Sequence, residues 1–161
     1  MSQVKNKIIL KLILAFSIFA ILIAYFIQYV LGHQPCNLCL IERVPYIFSI
    51  IVISTYLFTQ KFEKNSLIIL SLTFFVATLL SFYHFGIEQG FIKESLVCDL
   101  NSPNNELTKE ALLNQFKKMP VNCKEVTFKI LGSSLATFNI FISLILCVIT
   151  TKLFLTYEKN K

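Results

Sequence analysis

The chain is short of charge. Asp, Glu, Lys and Arg make up 15% of its 161 residues, where soluble domains carry about 25%. It has no tryptophan, and it has no basic stripe: fifteen Lys and Arg give a net charge of +6, but they are scattered. A nucleic-acid surface needs clustered positive charge, so that class is set aside. No cleavable leader is expected either. Lys5 and Lys7 precede an apolar run, but the run exceeds an h-region of about 7–15 residues and no small-x-small cleavage site follows it. It reads as an uncleaved span.

What the chain has in quantity is apolar surface. It is 55% hydrophobic with a mean hydropathy of +0.68, and sixteen Phe are spread through its apolar runs. Its length suggests one domain, residues 1–161. Four apolar segments stand out, Ile8–Leu31, Val44–Gln60, Ser66–Ile87 and Leu135–Thr156, against the roughly 17–25 residues a spanning helix needs. Lys11 and Lys152 can snorkel from helix ends to the interface. The expected fold is an all-α membrane protein, a bundle of four transmembrane helices.

Four spans put both termini on one side and leave two loops on the other, residues 32–43 and 88–134. The termini side carries eight Lys and the loop side seven Lys and Arg, a weak vote for cytoplasmic termini because cytoplasmic segments carry the Lys/Arg excess. The cysteines vote more strongly. Cys36, Cys39, Cys98 and Cys123 all fall in the two loops, and disulfides persist in oxidising compartments, so that face is expected to be periplasmic. Cys147 lies inside the fourth apolar run and reads as a small buried hydrophobe.

Loop one holds a C-x-x-C pair, Cys36 and Cys39. That spacing closes a tight ring and suits redox cycling better than bracing. Pro35 turns the chain out of the first helix, which sets Cys39 at or near the start of the second. Free backbone N–H groups and the helix dipole there favour a thiolate. Arg43, one turn on and on the same face, would favour thiolate character at Cys39 or receive an electron-rich carbonyl oxygen of a ligand. The rival readings are a structural disulfide and half a zinc site, with His33, Cys36 and Cys39 joined by Cys98 or Cys123. Membrane position, the nearby Arg and a second cysteine pair weigh toward redox chemistry and no metal.

Loop two holds Cys98 and Cys123. Paired, they would either staple the loop, worth roughly 3–4 kcal/mol in the chain-entropy model, or exchange with the first pair through a mixed disulfide. Between them, Leu107–Lys118 has helical character, with Glu106 and Glu110 near its start, Lys117 and Lys118 near its end, and Leu112, Leu113 and Phe116 on one face. It reads as a short surface helix, resting on the membrane or packed on the bundle.

Gln34-Pro-Cys36-Asn-Leu-Cys39-Leu-Ile-Glu-Arg43 after a first span resembles the DsbB family, the disulfide bond formation proteins of bacterial inner membranes. Tyr83-His-Phe-Gly-Ile-Glu-Gln-Gly90, the two later cysteines and Gly132-Ser-Ser-Leu-Ala-Thr-Phe-Asn139 continue the resemblance along nearly the whole chain. It implies an inner-membrane oxidoreductase that reoxidises a periplasmic thioredoxin-fold partner of the DsbA type and passes the electrons to a quinone, ubiquinone or menaquinone. Cys98 would form the mixed disulfide with the partner and Cys123 would resolve toward Cys36. Cys39 would deliver electrons to the quinone, with Arg43 beside it. His84 would lie near the ring, although a hydrogen-bonded histidine at a helix end fits the same residue. Pro45, directly after Val44, bears on how the second helix starts. A thiol–quinone enzyme like vitamin K epoxide reductase is a weaker match, because its C-x-x-C lies in a later helix. A non-enzymatic tetraspan protein with a disulfide-stapled binding loop is the alternative from another class.

Overall fold

The computed structural model describes residues 2–92, 129–130 and 133–159. Cys98, Cys123 and the expected surface helix over Leu107–Lys118 lie outside them. The described residues form α1 (Ser2–Tyr29), α2 (Asn37–Ile41), α3 (Val44–Thr59), α4 (Glu63–Glu88) and α5 (Leu135–Lys159). A two-residue antiparallel pairing, Lys129 with Ser134 and Ile130 with Ser133, precedes α5. Four stretches are long and apolar enough to cross a membrane: Asn6–Tyr29, Asn37–Thr59, Glu63–Glu88 and Leu135–Lys159. The chain is a four-transmembrane-helix bundle.

The helices assemble through stripes of buried residues at spacings of three and four, the pattern of helices packed at a shallow angle. The stripe reads Asn6, Leu10, Ile13, Ser17 on α1; Tyr46, Ser49, Ile53, Tyr56 on α3; Leu67, Leu70, Phe74, Ala77, Ser81, His84 on α4; and Ala136, Ile140, Ser143, Leu146, Thr150, Leu153 on α5. α4 packs most extensively on α5, α1 packs on α3 and α3 on α4, while α1 and α5 meet only briefly. Lipid is as apolar as Leu, so close approach and polar pairs do the joining. Ser49 donates to Ser17 at 3.1 Å across α3 and α1, and Ser71 and Thr151 pair at 2.7 Å across α4 and α5. Such interhelical bonds are worth about 0.6 kcal/mol each on average. Cys147 is half-buried beside this seam and packs against the core, in line with its reading as a small hydrophobe. Leu12, Leu22 and Phe26 on α1, and Phe75, Leu79 and Phe82 on α4, face outward, as surfaces suited to lipid.

The stripes are unequal. On α1 no residue beyond Ser17 is buried. The apolar core, built on Leu10, Ile13, Ile53, Leu67, Leu70 and Leu153, therefore fills the half of the bundle that holds the chain termini. In the other half α1 and α5 leave space between them.

The second span is interrupted, and here the structure corrects the sequence reading. Cys39 and Arg43 do not share one helix: α2 ends at Ile41, Glu42 and Arg43 form a turn, and Arg43 is the N-cap of α3. Pro45, in the first turn of α3, has no N–H to return to the Ile41 carbonyl, so the helix cannot run through. The Arg43 N–H instead tightens onto Leu40 at 3.2 Å. At the opposite end of the bundle the α3–α4 connection is short, and Gln60 and Phe62 take positive φ to make it.

Candidate active site

The chain leaves α1 through Gly32, whose φ of +74° suits a residue without a side chain. It then runs without regular structure to Cys36, whose own backbone is extended. Cys36, not Cys39, occupies the N-cap of α2, and its sulfur accepts the Cys39 N–H at 3.3 Å. The two sulfurs stand 2.7 Å apart, so less than about 1 Å of movement closes them to the bonded length of about 2.05 Å. Cys36 is 5% exposed and packs with Leu38 and Ile87; Cys39 is more open. In the dithiol state the Cys36 thiol is pushed well above the ordinary cysteine range. Its hydrogen bond with Cys39 is the larger cause, burial adds to it, and His84 acts against both.

His84 is the last member of the α4 stripe, which carries it into the bundle at 2% exposure. Its Nε2 lies 3.6 Å from the Cys36 sulfur and its Nδ1 lies 3.0 Å from Oε1 of Glu42. A buried carboxylate needs further partners, and Glu42 has one: Asn139 of α5 donates to its Oε2 at 3.1 Å. Asn139 also donates to Ser81 at 2.8 Å and accepts from the Tyr46 hydroxyl. Glu88, one turn beyond His84, brings Oε1 to 3.7 Å from Nε2 and accepts the Ser134 hydroxyl on its other oxygen. The network ties α3, α4 and α5 and the Glu42 turn to one imidazole.

Arg43 points elsewhere. It donates to Gln28 Oε1 of α1 at 2.7 Å and sits over the Tyr25 ring, 5.2 Å from its centroid. The geometry thus ties the guanidinium to α1.

Both cysteines, Glu42, Arg43, Tyr46, His84, Glu88 and Asn139 border one cavity of about 340 Å³. Its body is apolar, walled by Phe16, Phe19, Ile23 and Ile27 of α1 and Phe138 and Ile142 of α5. Its polar end holds His33, Gln34, Cys36, Cys39, Glu42, Arg43 and His84. The volume and the mix of an apolar body with few converging polar groups are those of a small-molecule site.

A family model for disulfide bond formation protein DsbB matches residues 6–153 of the chain. The chain belongs to the DsbB family. It is also 30% identical over 159 residues to a Rickettsia prowazekii (strain Madrid E) protein named Uncharacterized protein RP370, covering 97% of this chain and 91% of that protein. No solved structure matches it. As a DsbB-family member it is a membrane disulfide bond formation protein with thiol–disulfide oxidoreductase chemistry.

Of the residues singled out in this DsbB-family sequence, Cys36, Cys39, Arg43 and His84 line the same cavity. Sequence reasoning gave no role to Glu42, Tyr46, Glu88 or Asn139. Two signals pointed to them: Glu42 stands inside the Gln34–Arg43 string, and Asn139 is a polar residue in an apolar span, where a buried amide seeks a partner.

Proposed function

We propose that the chain reoxidises a periplasmic DsbA-type thioredoxin-fold partner and delivers the two electrons to a membrane quinone, ubiquinone or menaquinone. It does so in the bacterial inner membrane with both termini in the cytoplasm. The observation that carries this reading is the opening of the Cys36–Cys39 pair, with Arg43 and His84, onto one apolar cavity within the bundle.

The electron route follows thiol exchange. The partner dithiol reduces the Cys98–Cys123 disulfide through a mixed disulfide at Cys98. Cys123 then attacks Cys36, releasing Cys39, and the exchange ends with loop two oxidised and the Cys36–Cys39 pair reduced. DsbA-type couples are strongly oxidising, so the acceptor must be stronger still. A quinone supplies a two-electron, two-proton acceptor that dissolves in the bilayer. Arg43 holds a fixed positive charge at the cavity's polar end, braced by Gln28 and Tyr25. His84, fixed by Glu42, stands beside Cys36 to hold or pass one of the protons released when the dithiol closes. The apolar walls from α1 and α5 exclude water and retain an isoprenoid-like tail.

The test mixes purified protein in detergent with reduced DsbA-type partner and a soluble quinone analogue, following quinone absorbance. Partner-dependent loss of the oxidised signal, absent in Cys36→Ser, is expected. No loss with both loop disulfides intact overturns the reading in favour of a stapled binding protein.

A further inference from the structure

Cys36, Cys39 and His84 each offer one ligand atom, and the three atoms lie within 4.8 Å of one another. Zinc binds sulfur at about 2.3 Å and imidazole nitrogen at about 2.0–2.1 Å. A tetrahedral ion with those bonds separates sulfur from nitrogen by about 3.5 Å and two sulfurs by about 3.8 Å. The Cys36–His84 separation is already 3.6 Å. The two sulfurs, at 2.7 Å, need only part by about 1 Å, a side-chain movement for thiols that are not bonded.

The surroundings are those of a metal site as well. A metal-binding histidine usually donates its second ring nitrogen to a carboxylate, which fixes the tautomer and aims the first nitrogen at the ion. His84 has that arrangement: Nδ1 is against Glu42 and Nε2 faces the sulfur. Glu42 is itself held by Asn139. Cys36, Cys39 and His84 leave a fourth position for water, as zinc sites with three protein ligands do. Two thiolates neutralise a divalent ion, which suits an apolar setting. The sequence weighed toward no metal, and its rival zinc reading used His33; the folded chain brings His84 to the sulfurs.

We propose that the reduced form of this protein carries a thiophilic metal site, Cys36–Cys39–His84 with water in the fourth position, which takes Zn²⁺ and is lost when the two cysteines close into a disulfide. Binding exchanges the protons on the ligand atoms for the ion and involves no electron transfer. Forming the S–S bond removes both thiolates, so metal and disulfide exclude each other. Its redox gating rests on the proposed function; the coordination geometry does not. A bound ion would hold the pair reduced and stop electron delivery.

The test uses the full chain with Cys98→Ser and Cys123→Ser, so that loop-two thiols cannot ligate, titrated anaerobically in detergent with Co²⁺ and then Zn²⁺. A thiolate-to-cobalt absorption band saturating at one equivalent, displaced by Zn²⁺ and absent from the oxidised protein, is expected. Glu42→Gln should weaken binding about 10- to 100-fold, as loss of a carboxylate behind a ligating histidine does. Because substitutions at this network also risk the fold, zinc-edge X-ray absorption on the same unsubstituted site provides the second reading. Two sulfurs with an imidazole signature are expected. Sulfur-only coordination, equal binding by the oxidised form, or no band overturns the proposal. Metal-free quinone reduction is run in parallel on the wild-type chain. Turnover without cobalt binding sinks this inference alone, and cobalt binding without turnover sinks the proposed function alone.

Discussion

Nδ1 of His84 lies 3.0 Å from Oε1 of Glu42, and this contact aims Nε2 at the Cys36 sulfur 3.6 Å away. The pair joins two elements far apart in sequence, the turn after α2 and the buried stripe of α4. Replacing Glu42 by Gln keeps the shape and removes the charge. Hydrogen bonds to charged groups are worth about 1.5–3 kcal/mol, roughly 10- to 100-fold in rate. Quinone reduction by Glu42→Gln should fall by that factor in kcat. Adding His84→Gln should then cost little more, since residues in one network are not additive. A fully additive double variant, measured by quinone absorbance, would separate the two residues.

Arg43 works through its planar fork. It bonds Gln28 and lies on the Tyr25 ring at once, which the compact ammonium of Lys does poorly. Arg43→Lys is expected to raise the KM for the quinone analogue roughly 5- to 30-fold, from about 1–2 kcal/mol of lost bracing and stacking. The KM for the reduced partner should stay unchanged. Steady-state kinetics with each substrate varied in turn tests this split.

The raised Cys36 thiol predicts a pH trend in the reduced protein. The folded state holds the proton more tightly than the unfolded state does. Its stabilising contribution is therefore complete below the ordinary thiol value of about 8.5 and is lost as pH rises above it. The Tm of the dithiol form should fall relative to that of Cys36→Ser between about pH 8 and about pH 10. The disulfide form, which has no thiol at Cys36 to titrate, should lack that difference. Parallel melting curves in detergent give the answer.

Most of the core lies toward the termini and the cavity toward the other end, with Tyr46 shared by both, which largely separates stability from binding. Ile53 is fully buried among Leu10, Leu67 and Leu70 at the termini end. Ile53→Ala should destabilise the fold by about 2–5 kcal/mol, read as a lower Tm, and leave the quinone KM within experimental scatter. A changed KM would mean that the two halves are coupled.

Much of this architecture is written in local sequence. Apolar length and low charge determine four spanning helices, because a backbone in lipid must bond within its own helix. The C-x-x-C spacing lets Cys36 and Cys39 meet as soon as the chain turns into a helix at Cys36, because one turn brings residues three apart side by side. Pro45 determines a break between Cys39 and Arg43, because it lacks the N–H that a continuous helix needs there. Other relationships depend on contacts between distant segments, which no local pattern encodes. That His84 rather than His33 faces Cys36, that Asn139 supports Glu42 from 97 residues away, and that Arg43 turns to Gln28 all follow from how α1, α4 and α5 pack. The cavity has the same origin. The buried stripe of α1 stops at Ser17, and only the packed bundle, in which α1 and α5 barely touch, turns the missing contacts into a binding site.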